Sequence, residues 1–177
     1  MEKTLKKGNL VADEIRIQQK WNFTTTKNSN SKFFGTFPFP YSNGRLHLGH
    51  GYTIAQVEFA MRYQKLNGKN ILFPFGFHGT GMPIIACAEK LKESLLQYDI
   101  NNIDILTLPK NDQIRILFEM GINQNEITKF VDPYYWITYF PKMAIDDLKR
   151  LGVCVDYSRS FVTTDLNPHF DSFVKWQ

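Results

Sequence analysis

The sequence predicts an α/β fold in which helices flank a parallel β-sheet. Two short apolar segments of strand length, residues 32–37 and 70–75, are each followed by a turn that contains glycine. Each turn leads into a stretch whose apolar residues recur with helical spacing. The order strand, turn, helix, repeated once, is typical of βαβ units with parallel strands. Because ligands bind at the carboxyl ends of the strands in such sheets, we expect the functional residues in these two turns.

Length, charge and cysteine content narrow the class of protein. A chain of 177 residues buries roughly 70% of the surface that it exposes when unfolded, which is enough for one core. The net charge of +4 is compatible with a polyanionic partner but does not require one. Cys87 and Cys154 have no CxxC partner, which indicates reduced thiols. Since no apolar run could cross a bilayer and the start of the chain has no secretory signal, we expect a cytoplasmic protein without membrane contact.

Before the first strand, residues 10–21 have the spacing of an amphipathic helix, and the polar residues 24–31 predict a loop. Pro38 and Pro40 cannot donate hydrogen bonds to a sheet ladder, so the first strand ends where they begin. The loop that follows is therefore stiff and lies at the carboxyl end of that strand.

A helix is predicted after each strand. The first spans Leu48–Leu66 and is followed by Gly68, because glycine favours the position just after a helix. The second begins with Pro83 in its first turn, and Thr80 or Gly81 serves as its cap. These helices are the crossovers that a parallel sheet requires.

The rest of the chain is predicted to be mostly helical. The expected segments are short helices at 111–121, capped by Asn111, and at 122–130, a helix after Asp132 that Pro141 breaks into two pieces, strand-like stretches at 153–155 and 161–163, and a last helix after Asn167. We interpret residues 99–131 as an insertion in one domain, residues 32–177, which follows an amino-terminal helix and loop, residues 1–31.

Three of the four histidines lie in the two turns. At about 100° per residue, His47 and His50 are separated by about 60° around a helix, so both imidazoles can face one point beyond its amino terminus. Free backbone N–H groups and the helix dipole favour a phosphate at that point. Gly49, between them, allows a flat ligand such as a purine ring to lie against the backbone. A zinc site needs a third ligand, for which His78 is the only nearby candidate, and no HExxH pattern is present, so we predict no metal site.

These turns resemble a known family. The first resembles the HIGH signature of class I aminoacyl-tRNA synthetases, in the stretch FPFPYSNGRLHLGH. The second is similar to the corresponding loop of leucyl-tRNA synthetases of the archaeal and eukaryotic cytosolic type, in the stretch ILFPFGFHGTGMPI. The similarity continues through LKRLGVCVDYSRSFVTTDLNPHFDSFVKWQ, with one departure at Tyr157 and Ser158, where the family usually has Trp-Arg. The implied fold is the first half of a Rossmann-like catalytic domain.

The resemblance implies a leucine–tRNA ligase, which activates leucine with ATP and transfers it to tRNA(Leu). Mg²⁺ would accompany the nucleotide, and no zinc is expected. His47 and His50 would be catalytic residues that contact the ATP phosphates. The residues implied to bind ATP are Tyr41, Asn43, Gly44, His47, Gly49 and His50.

The amino-acid subsite is implied by the same resemblance. Its residues would be Phe37, Phe39, His78, Thr80 and Met82. His78 stands where related synthetases commonly carry an Asp that holds the substrate α-amino group. A neutral imidazole can accept a hydrogen bond from an ammonium group, so His78 is expected to take that role.

Length and motif together leave several alternatives open. Synthetases of this type are several times longer, so the second signature, the editing domain and the anticodon-binding domain are expected to be absent here. We therefore expect the chain alone to be inactive and to need the remainder of the polypeptide. The alternatives are a small complete HxGH nucleotidyltransferase, a non-catalytic nucleotide-binding or tRNA-binding module, and a synthetase for valine or isoleucine. A hydrophobic pocket distinguishes one methylene by only about 1–3 kcal/mol, so pocket composition does not decide the last question.

Overall fold

The computed structural model describes residues 2–21 and 31–177, with side chains from residue 9 onward in those ranges. The helices are α1 (Glu2–Gln18), α2 (Leu48–Leu66), α3 (Met82–Gln97), α4 (Gln113–Glu119), α5 (Gln124–Ile127), α6 (Pro133–Leu151) and α7 (Pro168–Trp176). The strands are β1 (Lys32–Phe34), β2 (Asn70–Leu72), β3 (Gly76–Phe77) and β4 (Phe161–Val162). Single 3₁₀ turns occur at Ile105–Thr107, Thr128–Val131 and Tyr157–Arg159. In these parts of the chain, no helix is long and apolar enough to cross a membrane.

The amino-terminal predictions are partly tested by these bounds. Helix α1 begins at Glu2, well before the predicted start at residue 10, and ends at Gln18. The predicted loop at residues 24–31 lies outside the described residues except for Ser31.

The predicted α/β fold with parallel strands is confirmed. β1 pairs in parallel with β2, with Phe33 opposite Ile71, and β3 pairs in parallel with β4, with Phe77 opposite Val162. The first two strands are shorter than predicted. In the second of them, Pro74 cannot donate to a ladder and separates β2 from β3. The two pairs therefore share one extended segment that runs from Asn70 through β3.

Hydrogen bonds beyond the named strands join three segments into one parallel arrangement. Asp156 and Thr163 donate their backbone N–H groups to the carbonyls of Phe73 and Phe77, at 2.8 and 3.0 Å, while His78 donates to Pro40 at 2.8 Å and accepts from Ser42 at 3.0 Å. Tyr41 and His78 form a parallel bridge. The carboxyl ends of these segments consequently meet at one edge, where the sequence placed the functional turns.

Helices α2 and α3 begin where the sequence predicts. Gly68, with φ +77°, follows the end of α2, and Gly81, with φ +91°, is the cap residue of α3. Pro83 lies in the first turn of α3, where its missing N–H has no helical partner to lose. Asp132 and Asn167 cap α6 and α7 through their side chains, as expected.

Three sequence predictions are wrong. Pro141 does not break α6, because the helix buries one long apolar face that includes Trp136, Phe140 and Leu148. That burial outweighs the one hydrogen bond that proline removes. Asp112, not Asn111, caps α4, with its carboxylate accepting from the N–H of Ile114.

The third wrong prediction is the strand at residues 153–155. Cys154 donates its backbone N–H to the carboxylate of Glu58 at 2.9 Å and not to a strand. Val153 and Val155 are buried, which explains the alternating pattern that resembled a strand. The prediction for residues 161–163 is confirmed by β4.

Two apolar cores support the functional edge. One joins α2 to the sheet and to α6 through Phe75, Met61 and Leu148, among others. The other joins α3, α6 and the segment between them, with Trp136 and Phe130 fully buried. Residues 99–131, interpreted as an insertion, contribute Ile105, Ile114, Leu117 and Ile127 to this second core. The boundaries of the domain and of the insertion stay predictions.

Candidate functional site

The two histidines of the first turn form the amino-terminal cap of α2. His47 is the cap residue, and its Nδ1 accepts a hydrogen bond from the N–H of Gly49 at 3.1 Å. In return, Nδ1 of His50 accepts from the N–H of His47 at 3.2 Å. The two ring centroids are 3.9 Å apart. The sequence placed both imidazoles at this helix end, but it did not indicate that each would accept a hydrogen bond from a backbone N–H of the helix start.

This reciprocal cap determines which ring nitrogens carry a proton. An Nδ1 atom that accepts a hydrogen bond has no hydrogen, so in the neutral imidazole the hydrogen is on Nε2. Both His47 and His50 are therefore Nε2–H donors in the neutral state. Two such donors beside the positive end of a helix dipole suit an anionic group that bears several oxygens.

Burial lowers the pKa of His50 below its ordinary value of 6.5, and the nearby His47 lowers it further. The ring of Phe37 lies 6.3 Å from that of His50 and stacks on Phe75 at 5.4 Å. Because Phe37 is only 3% exposed, it belongs to the core beneath the cap. His50 is consequently neutral and pre-oriented at pH 7 in the absence of a ligand.

Gly49 makes the cap possible. A Cβ atom at this position would lie 2.9 Å from Cε1 and 3.0 Å from Nδ1 of His47, so the His47 ring would have to shift. The missing side chain therefore allows the His47 ring to fold back over the helix start. The approach of a flat ligand to the same backbone stays a prediction.

The turn that precedes the cap is anchored to α6. Arg45 donates two hydrogen bonds from one guanidinium nitrogen to the carboxylate of Asp147, at 2.8 and 2.9 Å. Gly44 lies against Met120, whose Cε atom would be 3.0 Å from a Cβ at that position. Of the other residues expected to bind ATP, Asn43 is partly exposed in the same bend, and Tyr41 is 45% exposed.

The second turn is held against the first and against β4. The ring of Tyr41 meets that of His78 edge-on at 4.6 Å. Nδ1 of His78 is 2.9 Å from the hydroxyl of Thr163, and Nε2 is 3.2 Å from the hydroxyl of Thr80. Thr163 also accepts a hydrogen bond from the N–H of Gly79 at 3.3 Å. All three segments at the carboxyl edge thus contribute to the surroundings of His78.

The residues expected to bind the amino acid are only partly brought together. Phe39 packs edge-on against Phe161 at 5.2 Å, and Met82 is 69% exposed on the first turn of α3. A cavity of about 340 Å³ lies beside Thr80. Its lining is Gly79, Thr80, Gly81, Ile84, Ile85, Pro133, Tyr134, Ile137, Thr164 and Asp165. Of the five expected residues, this lining includes Thr80 alone.

Sequence reasoning missed Thr163 and Tyr134 near the second turn. Thr163 contacts His78, and Tyr134 donates a hydrogen bond at 2.9 Å to Asp165, which lines the cavity with it. The available signal was the run RSFVTTD, because it contains β4 and ends in three polar residues at the same sheet edge. Among the described residues, no three His, Cys, Asp or Glu side chains group as metal ligands do.

Comparison with known proteins identifies the family. The model for tRNA synthetases class I (I, L, M and V) matches residues 16–103. The cytoplasmic leucine–tRNA ligase of Pongo abelii is 41% identical, over 98% of this chain and 18% of the relative. That of Dictyostelium discoideum is 39% identical, over 98% of this chain and 20% of the relative. That of Saccharomyces cerevisiae is 38% identical, over 82% of this chain and 16% of the relative.

The chain therefore belongs to the class I aminoacyl-tRNA synthetases. Its curated relatives are leucine–tRNA ligases, and it spans about a fifth of the length of the first two of them. A solved structure, the ternary complex of Agrobacterium radiobacter K84 agnB2 LeuRS with tRNA and LeuAMS, aligns over 85% of this chain and 15% of that one. The TM-score of that alignment is 0.49, and the sequence identity is 21%.

Proposed function

We propose that this chain supplies the HxGH half of the ATP site, and part of the leucine site, of a leucine–tRNA ligase. The observation that carries the proposal is the reciprocal histidine cap at the start of α2, in a chain that is 41% identical to a cytoplasmic leucine–tRNA ligase. The reaction needs no protein nucleophile, since the leucine carboxylate attacks the α-phosphate of ATP. Positioning and charge stabilisation are the contributions left to the protein.

In this proposal, His47 and His50 donate from Nε2 to phosphate oxygens, which gain negative charge as the carboxylate attacks. The backbone N–H groups of the first turn of α2 add their dipoles. A bound phosphate favours the imidazolium form and thereby opposes the burial that lowers the pKa of His50. Gly49 leaves room for the adenine, and Tyr41, Asn43 and Gly44 form the approach to it. Mg²⁺ accompanies the nucleotide as its phosphate complex.

The amino-acid side of the site is proposed to lie between the two turns. Phe39, His78 and Thr80 are close enough to the sheet edge to contact a small substrate, and Met82 forms an exposed rim. Phe37 supports this region from the core. The apolar cavity beside Thr80 offers additional space for an aliphatic side chain.

We further propose that the rest of a synthetase polypeptide completes the site and binds tRNA(Leu). The chain aligns with about a fifth of the length of its relatives. These relatives are named as cytoplasmic enzymes, which supports action in the cytoplasm. The remainder would supply the second class signature, the editing function and the main tRNA-binding surface.

The test is leucine-dependent exchange of pyrophosphate into ATP. The transcript is first sequenced beyond the codon for Gln177, and exchange is measured for its product and for the 177-residue chain. We expect an open reading frame into further synthetase domains and exchange that requires leucine. His78→Ala should raise the KM for leucine far more than that for ATP. Exchange that depends on valine or isoleucine, nucleotide binding without exchange in the longer product, or equal effects on both KM values would contradict the proposal.

A further inference from the structure

The surroundings of His78 determine how this imidazole can meet a ligand. Its Nδ1 is 2.9 Å from Oγ1 of Thr163, a residue that is only 5% exposed at the end of β4. The hydroxyl of Thr80, which is exposed, lies 3.2 Å from Nε2 and 3.5 Å from Nδ1. The buried Thr163 hydroxyl thus contacts one ring nitrogen, whereas the Thr80 hydroxyl lies beside the ring and close to both nitrogens.

Counting protons assigns a direction to this chain of hydrogen bonds. The N–H of Gly79 donates to Oγ1 of Thr163, so one acceptor position of this hydroxyl is already used. A hydroxyl also has one hydrogen to donate, and a buried hydrogen of this kind needs an acceptor. Nδ1 of His78 is the acceptor that the described contacts of Thr163 offer. In the opposite direction, with Nδ1–H donating to Thr163, the buried hydroxyl hydrogen would have no partner in the described part of the chain.

We propose that Thr163 is a positioning residue that holds His78 as the Nε2–H tautomer, so that His78 meets its ligand as a hydrogen-bond donor. The ligand atom is then a hydrogen-bond acceptor, and in the proposed leucine site the acceptor that the substrate offers is its carboxylate. The Thr80 hydroxyl does not take the Nε2–H bond, because an oxygen 3.2 Å from Nε2 and 3.5 Å from Nδ1 lies beside the ring and not along the N–H direction, so this N–H is left for the ligand.

This assignment rests on the proposed function for the location of the substrate, and it changes the group that His78 recognises. The sequence suggested that His78 accepts a bond from the substrate ammonium group, as an Asp does in related synthetases. An imidazole with its Nε2 protonated cannot accept there. The aspartate of related synthetases accepts a hydrogen bond from the substrate, whereas His78 donates one to it.

The tautomer can be measured without any ligand. The ¹⁵N-labelled 177-residue chain is examined by long-range ¹H–¹⁵N correlation at a pH where the imidazoles are neutral. We expect the Nδ1 of His78 to show the shift of an unprotonated nitrogen and Nε2 that of a protonated one. Thr163→Val removes the hydroxyl at nearly constant shape and should produce a mixture of tautomers, whereas Thr163→Ser should keep the single tautomer.

Thr164→Val is the matched control, because Thr164 is a buried neighbour whose hydroxyl accepts from the N–H of Leu166 and does not contact His78. It should leave the His78 signals unchanged. A protonated Nδ1 in the unmodified chain overturns the inference even if Thr163→Val fails to fold. An unchanged tautomer in a folded Thr163→Val variant overturns it as well.

The ligand class is tested with two halves of leucine. 4-Methylpentanoate keeps the carboxylate and lacks the amine, while isoamylamine keeps the amine and lacks the carboxylate. We expect the Nε2 signal of His78 to respond to 4-methylpentanoate and not to isoamylamine. A response to isoamylamine alone, or to neither compound, rejects the carboxylate assignment. Failure of leucine-dependent exchange with the expected tautomer in place would instead count against the proposed function alone.

Discussion

Gly49→Ala separates the stability of α2 from the geometry of its histidine cap. Replacing glycine by alanine inside a helix stabilises it by about 0.5–1 kcal/mol, because alanine loses less conformational freedom on folding than glycine does. At Gly49, however, the new Cβ would lie 2.9 Å from Cε1 of His47 and displace that ring. Loss of a side-chain cap costs about 0.5–2 kcal/mol. The two effects nearly cancel, so the free energy of unfolding should change by less than about 1.5 kcal/mol in either direction.

Gly51→Ala is the matched control for this substitution. Its Cβ would come no closer than 4.0 Å to Leu151. Gly51 lies on the same helix and contacts His47 through its backbone N–H, which donates to the His47 carbonyl at 3.2 Å, and not through the position that a Cβ would take. It should therefore show the helix gain alone. The difference in unfolding free energy between the two variants then measures the cap, with an expected value of about 0.5–2 kcal/mol.

The assays are urea unfolding followed by tryptophan fluorescence and a titration with ATP and Mg²⁺. We expect Gly49→Ala to weaken ATP binding at least tenfold, because the Nε2–H group of His47 is moved and the backbone is obstructed, while Gly51→Ala binds as the unmodified chain does. Equal unfolding free energies for the two variants would show that His47 does not cap α2. Unchanged ATP binding by a folded Gly49→Ala variant would refute the assignment of this helix start to the nucleotide.

Three further predictions concern the supports of the site. Glu58→Ala should lower the unfolding free energy by about 2–4 kcal/mol, since it removes the carboxylate that pairs with Arg62 and accepts from Cys154. Glu58→Gln should lower it by less. A smaller loss for Glu58→Ala than for Glu58→Gln would contradict this role. The unfolding free energy should fall as the pH drops below 6.5, because the lowered pKa of His50 means that the unfolded chain binds the proton first. In a series of urea titrations, the unfolding free energy should depend less on pH for His50→Gln than for His169→Gln. A double-mutant cycle of Arg45→Gln and Asp147→Asn should give a coupling energy of about 0.2–1 kcal/mol for this partly exposed pair. Arg45→Gln alone should weaken ATP binding several-fold. If the two substitutions have additive effects on the unfolding free energy, the pair does not anchor the turn.

The fold was predictable where local signals and tertiary packing agree. Proline and glycine positions placed the starts of α2 and α3, and Asp132 and Asn167 placed those of α6 and α7. The prediction failed at Pro141, because the burial of a whole helix face is a tertiary effect that a local breaker signal does not contain. It failed at residues 153–155 because a buried carboxylate from α2 replaces the strand partner there.

The site was predictable in its residue types but not in its hydrogen bonding. Spacing brings His47 and His50 to one helix end, but only the structure shows that each Nδ1 accepts from a backbone N–H and leaves Nε2 as the donor. The contact between His78 and Thr163 joins residues 85 positions apart, and no pattern along the chain encodes such a pair. Phe37 was indistinguishable from Phe39 in sequence, yet the first is buried in the core and the second lies at the sheet edge.

The most direct test of an ATP site at the start of α2 is a titration of the labelled 177-residue chain with ATP and Mg²⁺. The signals to follow are the Gly49 amide and the imidazole nitrogens of His47 and His50. Binding there predicts saturable shifts at all three residues, a rise in the pKa of His50 toward or above 6.5, and much weaker shifts with adenosine, which lacks the phosphates. Unchanged signals at these residues, or equal shifts with ATP and adenosine, would contradict phosphate recognition by the paired histidines.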